Sequence, residues 1–527
     1  MSEIVQIDGS SLTPEDVIAL AKGKKKAVFC SNARERVAAA RAAVEGIISR
    51  GETAYGINTG FGSLSKVGIE AADLEQLQVN LVRSHACGMG ELMHPEEVLA
   101  MMVIRANSLA KGNSGNRPEV IDLLINCVHS GIAPRVPRIG SLGASGDLAP
   151  LAHIAVGLIG EGDAFIRSAT QQRWGEFDGW RQTQMSGALK LAGLEPLRLQ
   201  AKEGLSLING TTQMCAWFSS AILQLEGLSA CADIVLGTSI EALQGSHKPF
   251  DDRLHEARPQ PGQRRMASRM RHILEDSAIN AAHVNCSKVQ DAYSLRCSPQ
   301  VHGPVLDLID HARQMLEIEL NSATDNPLIF PDAANPGPHE VISGGNFHGE
   351  ILGLHADALS VACHELASIS ERRTNQLLDP AWSGLPAYLA KDAGLDSGLM
   401  IVQYVAAAVI AEMHVLGAPA SLSNVPVSNN KEDHVSMGAT AAHKLSQQTG
   451  FLAKVLACEL ISAVEALEHQ TLKSSAIVEA TRAWTRQFVA PLTEDRTWSD
   501  DLEKIAQGLL AGDLLAYIRA TVPNSTL

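Results

Sequence analysis

The sequence predicts a mainly α protein, an elongated helical bundle with a loop-rich helical N-terminal region, on three observations. Apolar residues recur at helical spacing over long stretches, strand-like alternation is scarce, and the chain carries only 6 Trp, 5 Tyr and 10 Phe among 527 residues, so its core must be aliphatic. In chain order, the first strand-like piece is Glu3 to Ile7. The charge-free stretch from Gly204 to Leu225 is long enough to span a bilayer, but Asn209, Thr211, Thr212, Gln213, Ser219 and Ser220 interrupt it, so it reads as buried helix plus polar turn. Val301, Val305, Leu308, Ile309, Ala312, Met315, Leu316 and Leu320 then fall at three- and four-residue steps, and Gly349–Leu377 and Thr440–Leu467 continue the pattern. Helices of nearly thirty residues reach about 45 Å and require partners along their whole length, which predicts an oligomer. Two regions are expected, residues 1–115 and a long-helix domain over 116–527. The segment Trp174–Met185 reads as an exposed insertion.

Composition removes several function classes. A net charge of −15 is not the footprint of a phosphate-backbone binder, so nucleic acid is not an expected partner. The N-terminus has early acids and no apolar run after a basic segment, so a cytoplasmic location and no membrane attachment are expected. Nine scattered cysteines without a C-x-x-C pair suggest reduced core thiols. His348 and His355 lie seven apart and His364-Glu365 does not extend to H-E-x-x-H, so no metal is expected.

Glycine and polar punctuation gathers at 55–63, 111–117, 140–147, 209–213, 321–327 and 343–349, and in a helical protein such loops are where function is carried. Within GSLGASGDLAPLAH (140–153), Asp147 stands where a serine-nucleophile elbow needs glycine, and the phosphate-binding lysine of a P-loop is missing. Ala144-Ser145-Gly146 supports a different chemistry. If the Gly146 nitrogen attacks the Ala144 carbonyl, a five-membered ring closes, and loss of water from it and from Ser145 leaves an exocyclic methylene. The attacking residue must lack a β-carbon, because the turn brings backbone against backbone. The product is an electrophile that no standard side chain supplies.

That segment, with YGINTGFG (55–62), RSHACG (83–88), NGTTQ (209–213), QDAYSLRCSPQVHG (290–303), TDNPLIF (324–330), SGGNFHGE (343–350) and NKEDHVSMG (430–438), resembles the histidine, phenylalanine and tyrosine ammonia-lyases. The resemblance covers essentially the whole chain. It implies a mostly helical homotetramer with active sites built from three subunits. It also implies a 4-methylidene-imidazole-5-one formed from Ala144, Ser145 and Gly146, with no external cofactor.

The resemblance also assigns roles. Tyr55 matches the catalytic tyrosine, which as phenolate takes the β-proton and needs a pKa below the usual value of about 10; alone, it reads as an aromatic packed on a glycine turn. Arg296 matches the arginine that clamps the substrate carboxylate with its two-pronged guanidinium, the competing role being a structural ion pair. Asn209 and Tyr293 match groups that position substrate and polarise the cofactor, and Gln290 is a second contact. Phe347 matches an aromatic beside cofactor and substrate ring, or else is a core Phe. Glu412, in an apolar helix, matches a glutamate facing the substrate and is expected to be buried, with an intersubunit partner as the alternative.

Ser84-His85 is the pair that histidine lyases carry at the selectivity position, and His85 can hydrogen-bond an imidazole nitrogen. Two departures count the other way: Ala411-Glu412-Met413-His414 is nearer to tyrosine lyases and aminomutases, and Thr212 stands where histidine lyases place Gln. The expected substrate is L-histidine, giving trans-urocanate, with tyrosine, phenylalanine or a substituted histidine next, and a 2,3-aminomutase as the third reading.

Overall fold

The computed structural model describes residues 3–54, 56–59, 68–168, 177–283, 289–331, 339–523 and 525. It is mainly helical, and its strands are short and gathered into two- and three-stranded sheets. The chain forms two compact units, each assembled from segments far apart in sequence: residues 1–220, 313–356 and 420–443 in the first, and residues 221–312, 357–419 and 444–527 in the second.

Among the described residues, the small sheets all lie in the first unit. Ile4–Ile7 pairs in parallel with Lys26–Phe29, and Asp163–Arg167 pairs antiparallel with Ile132–Pro134 on one side and Trp180–Gln184 on the other. The described part of the expected exposed insertion supplies an edge strand on which Arg181, Gln182 and Gln184 are exposed, while Trp180 is buried with the Arg167 guanidinium over its ring. At the centre runs the helix Pro95–Ala110, in which every residue from Val98 onward is buried. Its start is fixed by Pro95 at the first helical position and by a reciprocal cap, in which Glu96 N donates to His94 Nδ1 and His94 N donates to Glu97 Oε2.

The longest helices are Thr212–Ala242, Ser298–Leu320, Glu350–Leu378 and Gly438–Leu467. At 1.5 Å per residue the first reaches about 45 Å. Among the described residues it is the one helix long and apolar enough to cross a membrane, and 78% of its apolar window is buried inside the protein. In Ser298–Leu320 the expected apolar stripe packs at Val305, Ile309, Ala312, Leu316 and Leu320, whereas Leu308 points outward. The second unit holds a fully buried ion pair. Arg373 donates from Nε and Nη2 to the two Glu459 oxygens at 2.5 and 2.8 Å, and Ser239 adds a third bond to the same carboxylate. Cys127, Cys215, Cys231, Cys363 and Cys458 are buried free thiols, while Cys87 is exposed.

Candidate active site

The turn at 140–147 ends where the helix Leu148–Leu158 begins. Its backbone needs glycine twice, with φ of +68° at Gly143 and +74° at Gly146. Ser141 Oγ ties the turn together, accepting from Gly143 N at 3.1 Å and donating to Asp147 Oδ1 at 2.7 Å. The other Asp147 oxygen accepts from Gln213 N and Met214 N at 2.6 and 3.2 Å, in the first turn of Thr212–Ala242, where amides without a partner inside the helix favour an anion. Burial pushes the Asp147 carboxyl up to about 6, against the pull of those three hydrogen bonds.

The second strip of this site is Asn209–Gly210. Asp147 N donates to Gly210 O at 2.7 Å, and Gly146 and Gly210 pair as an isolated bridge. A β-carbon on Gly146 would overlap the Gly210 backbone, so the two glycines touch with nothing between them. Asn209 Nδ2 donates to the Ser145 carbonyl at 2.7 Å, while its buried Oδ1 has no hydrogen-bond partner among the described residues. An amide so placed draws electron density from the Ser145 carbonyl.

Other motif segments close around this pair. The Gly143 carbonyl accepts from Ser436 Oγ at 3.0 Å and from Gly349 N at 3.2 Å, and Met437 N donates to Leu142 O at 2.8 Å. Gly88 N donates to His153 Nε2 at 3.1 Å, which joins the segment carrying His85 to the helix after the turn. His85 is half-buried, and its Nδ1 lies 2.9 Å from the Leu81 carbonyl; a neutral ring donating there presents Nε2 as an acceptor. Phe347 is half-buried in the 343–349 loop, whose Gly344 N donates to Asn326 Oδ1 at 2.7 Å; Asn346, in the same loop, is exposed.

The second unit holds the remaining expected residues. Tyr293 and Arg296 form one local group: the guanidinium lies 4.4 Å over the ring, and its Nε donates to Asp291 O at 3.0 Å. Tyr293 is 70% exposed and Gln290 is exposed as well. Glu412 is a correction, since it sits on the exposed face of Met400–Leu416 and Met413 is the buried residue of the pair. That helix is apolar on nearly all sides, so its composition gave no direction to the acid. Tyr55 lies outside the described residues.

Two participants escaped the sequence reading. Asp147 was seen only as the residue that spoils a serine elbow, although an acid four residues after Gly143 in a glycine turn signals an amide acceptor. Gly210 could have been found from the need for a second glycine wherever a first is pressed against backbone.

A sequence model described as aromatic amino acid lyase matches residues 12–487. A curated histidine ammonia-lyase from Myxococcus xanthus is 45% identical over 517 residues, covering 98% of each chain. The crystal structure of histidine ammonia-lyase from Trypanosoma cruzi superposes with a TM-score of 0.88 at 37% identity, covering 99% of this chain and 96% of that one. A tyrosine aminomutase from Streptomyces globisporus gives a TM-score of 0.90 at 35% identity, covering 99% of both. With that agreement over nearly its full length, the chain belongs to the aromatic amino acid lyase family.

Proposed function

We propose that the protein is a histidine ammonia-lyase, eliminating ammonia from L-histidine to give trans-urocanate. The observation that carries this reading is the glycine pair with its amide: Gly146 against Gly210, and Asn209 on the Ser145 carbonyl. Ala144, Ser145 and Gly146 fit a self-formed methylidene-imidazolone, because the attacking nitrogen belongs to a residue whose β-carbon position is already filled by backbone. That group supplies an electrophile that activates the substrate for loss of ammonia. Asn209 orients its carbonyl side, and Asp147 fixes the turn to the amides of Gln213 and Met214.

In this reading Tyr55 takes the β-proton and Arg296 clamps the carboxylate. Tyr293 and Gln290 position the substrate, Phe347 packs beside its ring, and His85 offers Nε2 to the imidazole N–H. Glu412 faces the substrate's distal end or amine. The active protein is a cytoplasmic homotetramer whose sites combine residues of three subunits. The outward face of Met400–Leu416 supports assembly: Ile401 and Tyr404 are 59% and 62% exposed, an apolar surface of the kind that marks protein contacts. Assembly over this face would also give Glu412 the partners it lacks among the described residues.

A second reading, a tyrosine lyase or 2,3-aminomutase, rests on Ala411-Glu412-Met413-His414 and on the likeness to the tyrosine aminomutase. Separate incubations with L-histidine, L-tyrosine and L-phenylalanine, followed by the ultraviolet absorbance of the conjugated acrylate, test the choice. Urocanate from histidine is expected. Turnover of tyrosine with none of histidine would overturn it, and a β-amino acid product would identify the aminomutase.

A further inference from the structure

Arg105, in the middle of Pro95–Ala110, is completely buried and stands outside the chemistry proposed above. Its Nη2 donates to the Ser206 carbonyl, whereas Nε and Nη1 have no hydrogen-bond partner among the described residues. Burial lowers its pKa to about 10, an effect that the Asp325 charge opposes. Asp325 is already engaged, accepting from Lys202 Nζ at 2.6 Å and from Asn326 N at 2.7 Å, with Lys202 and Asp325 both fully buried. Two buried cations thus share one carboxylate, an arrangement that costs stability and that a methionine of similar length would avoid.

The location of the guanidinium shows what that cost accompanies. A β-carbon on Gly210 would overlap Arg105 Nη1 and come within 2.6 Å of Thr324 Oγ1, and a β-carbon on Gly146 would overlap the Gly210 carbonyl. Gly146, Gly210 and the Arg105–Thr324 wall are therefore three successive layers in contact. Gly146 has no room on its Gly210 side, and Gly210 has none on its Arg105 side.

We infer that Arg105, held by the Ser206 carbonyl and the charge of Asp325, is a positioning residue for closure of the 144–146 ring, an inference that rests on the cyclisation proposed above. In closure the Gly146 nitrogen bonds to the Ala144 carbonyl carbon. The carbonyl oxygen departs as water with the Gly146 and Ser145 amide protons, leaving a carbon–nitrogen double bond. The Ser145 hydroxyl departs with its α-proton as a second water, leaving the methylene. No oxidant or reductant is needed. Arg105 contributes by keeping the attacking nitrogen compressed against its carbonyl, while touching no substrate.

The test is the mass of the proteolytic peptide spanning 140–147 in the wild type, Arg105→Met and Arg105→Lys, with thermal melts to establish folding. The wild-type peptide is expected two waters light. In Arg105→Met the cyclised fraction should fall about tenfold or more while a cooperative melt is retained, and Arg105→Lys, which keeps the charge without the planar fork, should recover only part of it. A folded Arg105→Met or Arg105→Lys chain that is cyclised as fully as the wild type would overturn the inference and leave the cyclisation intact. If Arg105→Met does not fold, Arg105→Lys decides by the same criterion. An unmodified wild-type peptide would overturn both readings.

Discussion

Two buried arginines, one in each unit, carry the same charge and do different things. Arg373 is fully buried and each of its three nitrogens has a partner, with both Glu459 oxygens taken and Nη1 directed at the Ser294 carbonyl at 3.3 Å. Arg105 is as deeply buried but, among the described residues, has one carbonyl partner and a countercharge, Asp325, that it shares with Lys202. A buried ion pair whose hydrogen bonds close on themselves holds a fold; one left open beside a compressed glycine pair is kept for the geometry it imposes. The same contrast separates Glu459, which accepts from three donor atoms, from Asn209, whose Nδ2 grips Ser145 while its Oδ1 has no partner among the described residues.

That comparison can be broken at either end. Ser145→Ala removes the hydroxyl that leaves in the second dehydration. It should lower histidine turnover by roughly a thousandfold or more while the thermal melt is unchanged; retained turnover would remove the turn from the chemistry. Arg373→Met strands Glu459 as an uncompensated buried charge, and should cost about 3–5 kcal/mol of stability, read as a lower Tm, with the 140–147 peptide keeping its wild-type mass. If its main effect fell on that mass instead, the division between structural and positioning arginines would fail. Asn209→Ala withdraws the donor from the Ser145 carbonyl and should reduce kcat by about a hundredfold, measured as initial rates of urocanate formation.

The smallest effect is one of pH. Burial, with Arg138 beside it, lowers the His443 pKa to about 4, against the opposing charge of Glu91, and its ring stands edge-on to Trp217. Because the folded value lies below the ordinary 6.5, the unfolded chain takes up the proton first on acidification. The stability from neutral His443 is therefore present above about pH 6.5 and is lost as pH falls toward 4. His443→Gln should make Tm less sensitive between pH 7 and pH 5; an unchanged slope would assign the acid sensitivity elsewhere.

The long helices were legible because their periodicity runs unbroken. Gly349–Leu377 and Thr440–Leu467 differ from the observed Glu350–Leu378 and Gly438–Leu467 by only one or two residues. The loops of the site were legible because glycine, serine and asparagine cluster there for conformational reasons. Less was readable where two physical effects share one pattern. Met400–Leu416 is apolar all round, and hydrophobicity alone cannot separate a face packed within the chain from one left exposed, so Glu412 was expected inside. Trp180 was read with its polar neighbours, though a ring covered by Arg167 is buried in spite of them. Arg105 left a signal that went unused, a lone charge among MMVIRANSLA, where burial on every side forces a charge to have a reason.

The central claim, that the Ala144-Ser145-Gly146 turn builds the electrophile, is tested most directly by the mass of the wild-type 140–147 peptide. A peptide lighter than its sequence by two waters is the predicted result. A peptide of unmodified mass, from protein that still releases ammonia from L-histidine, would contradict it.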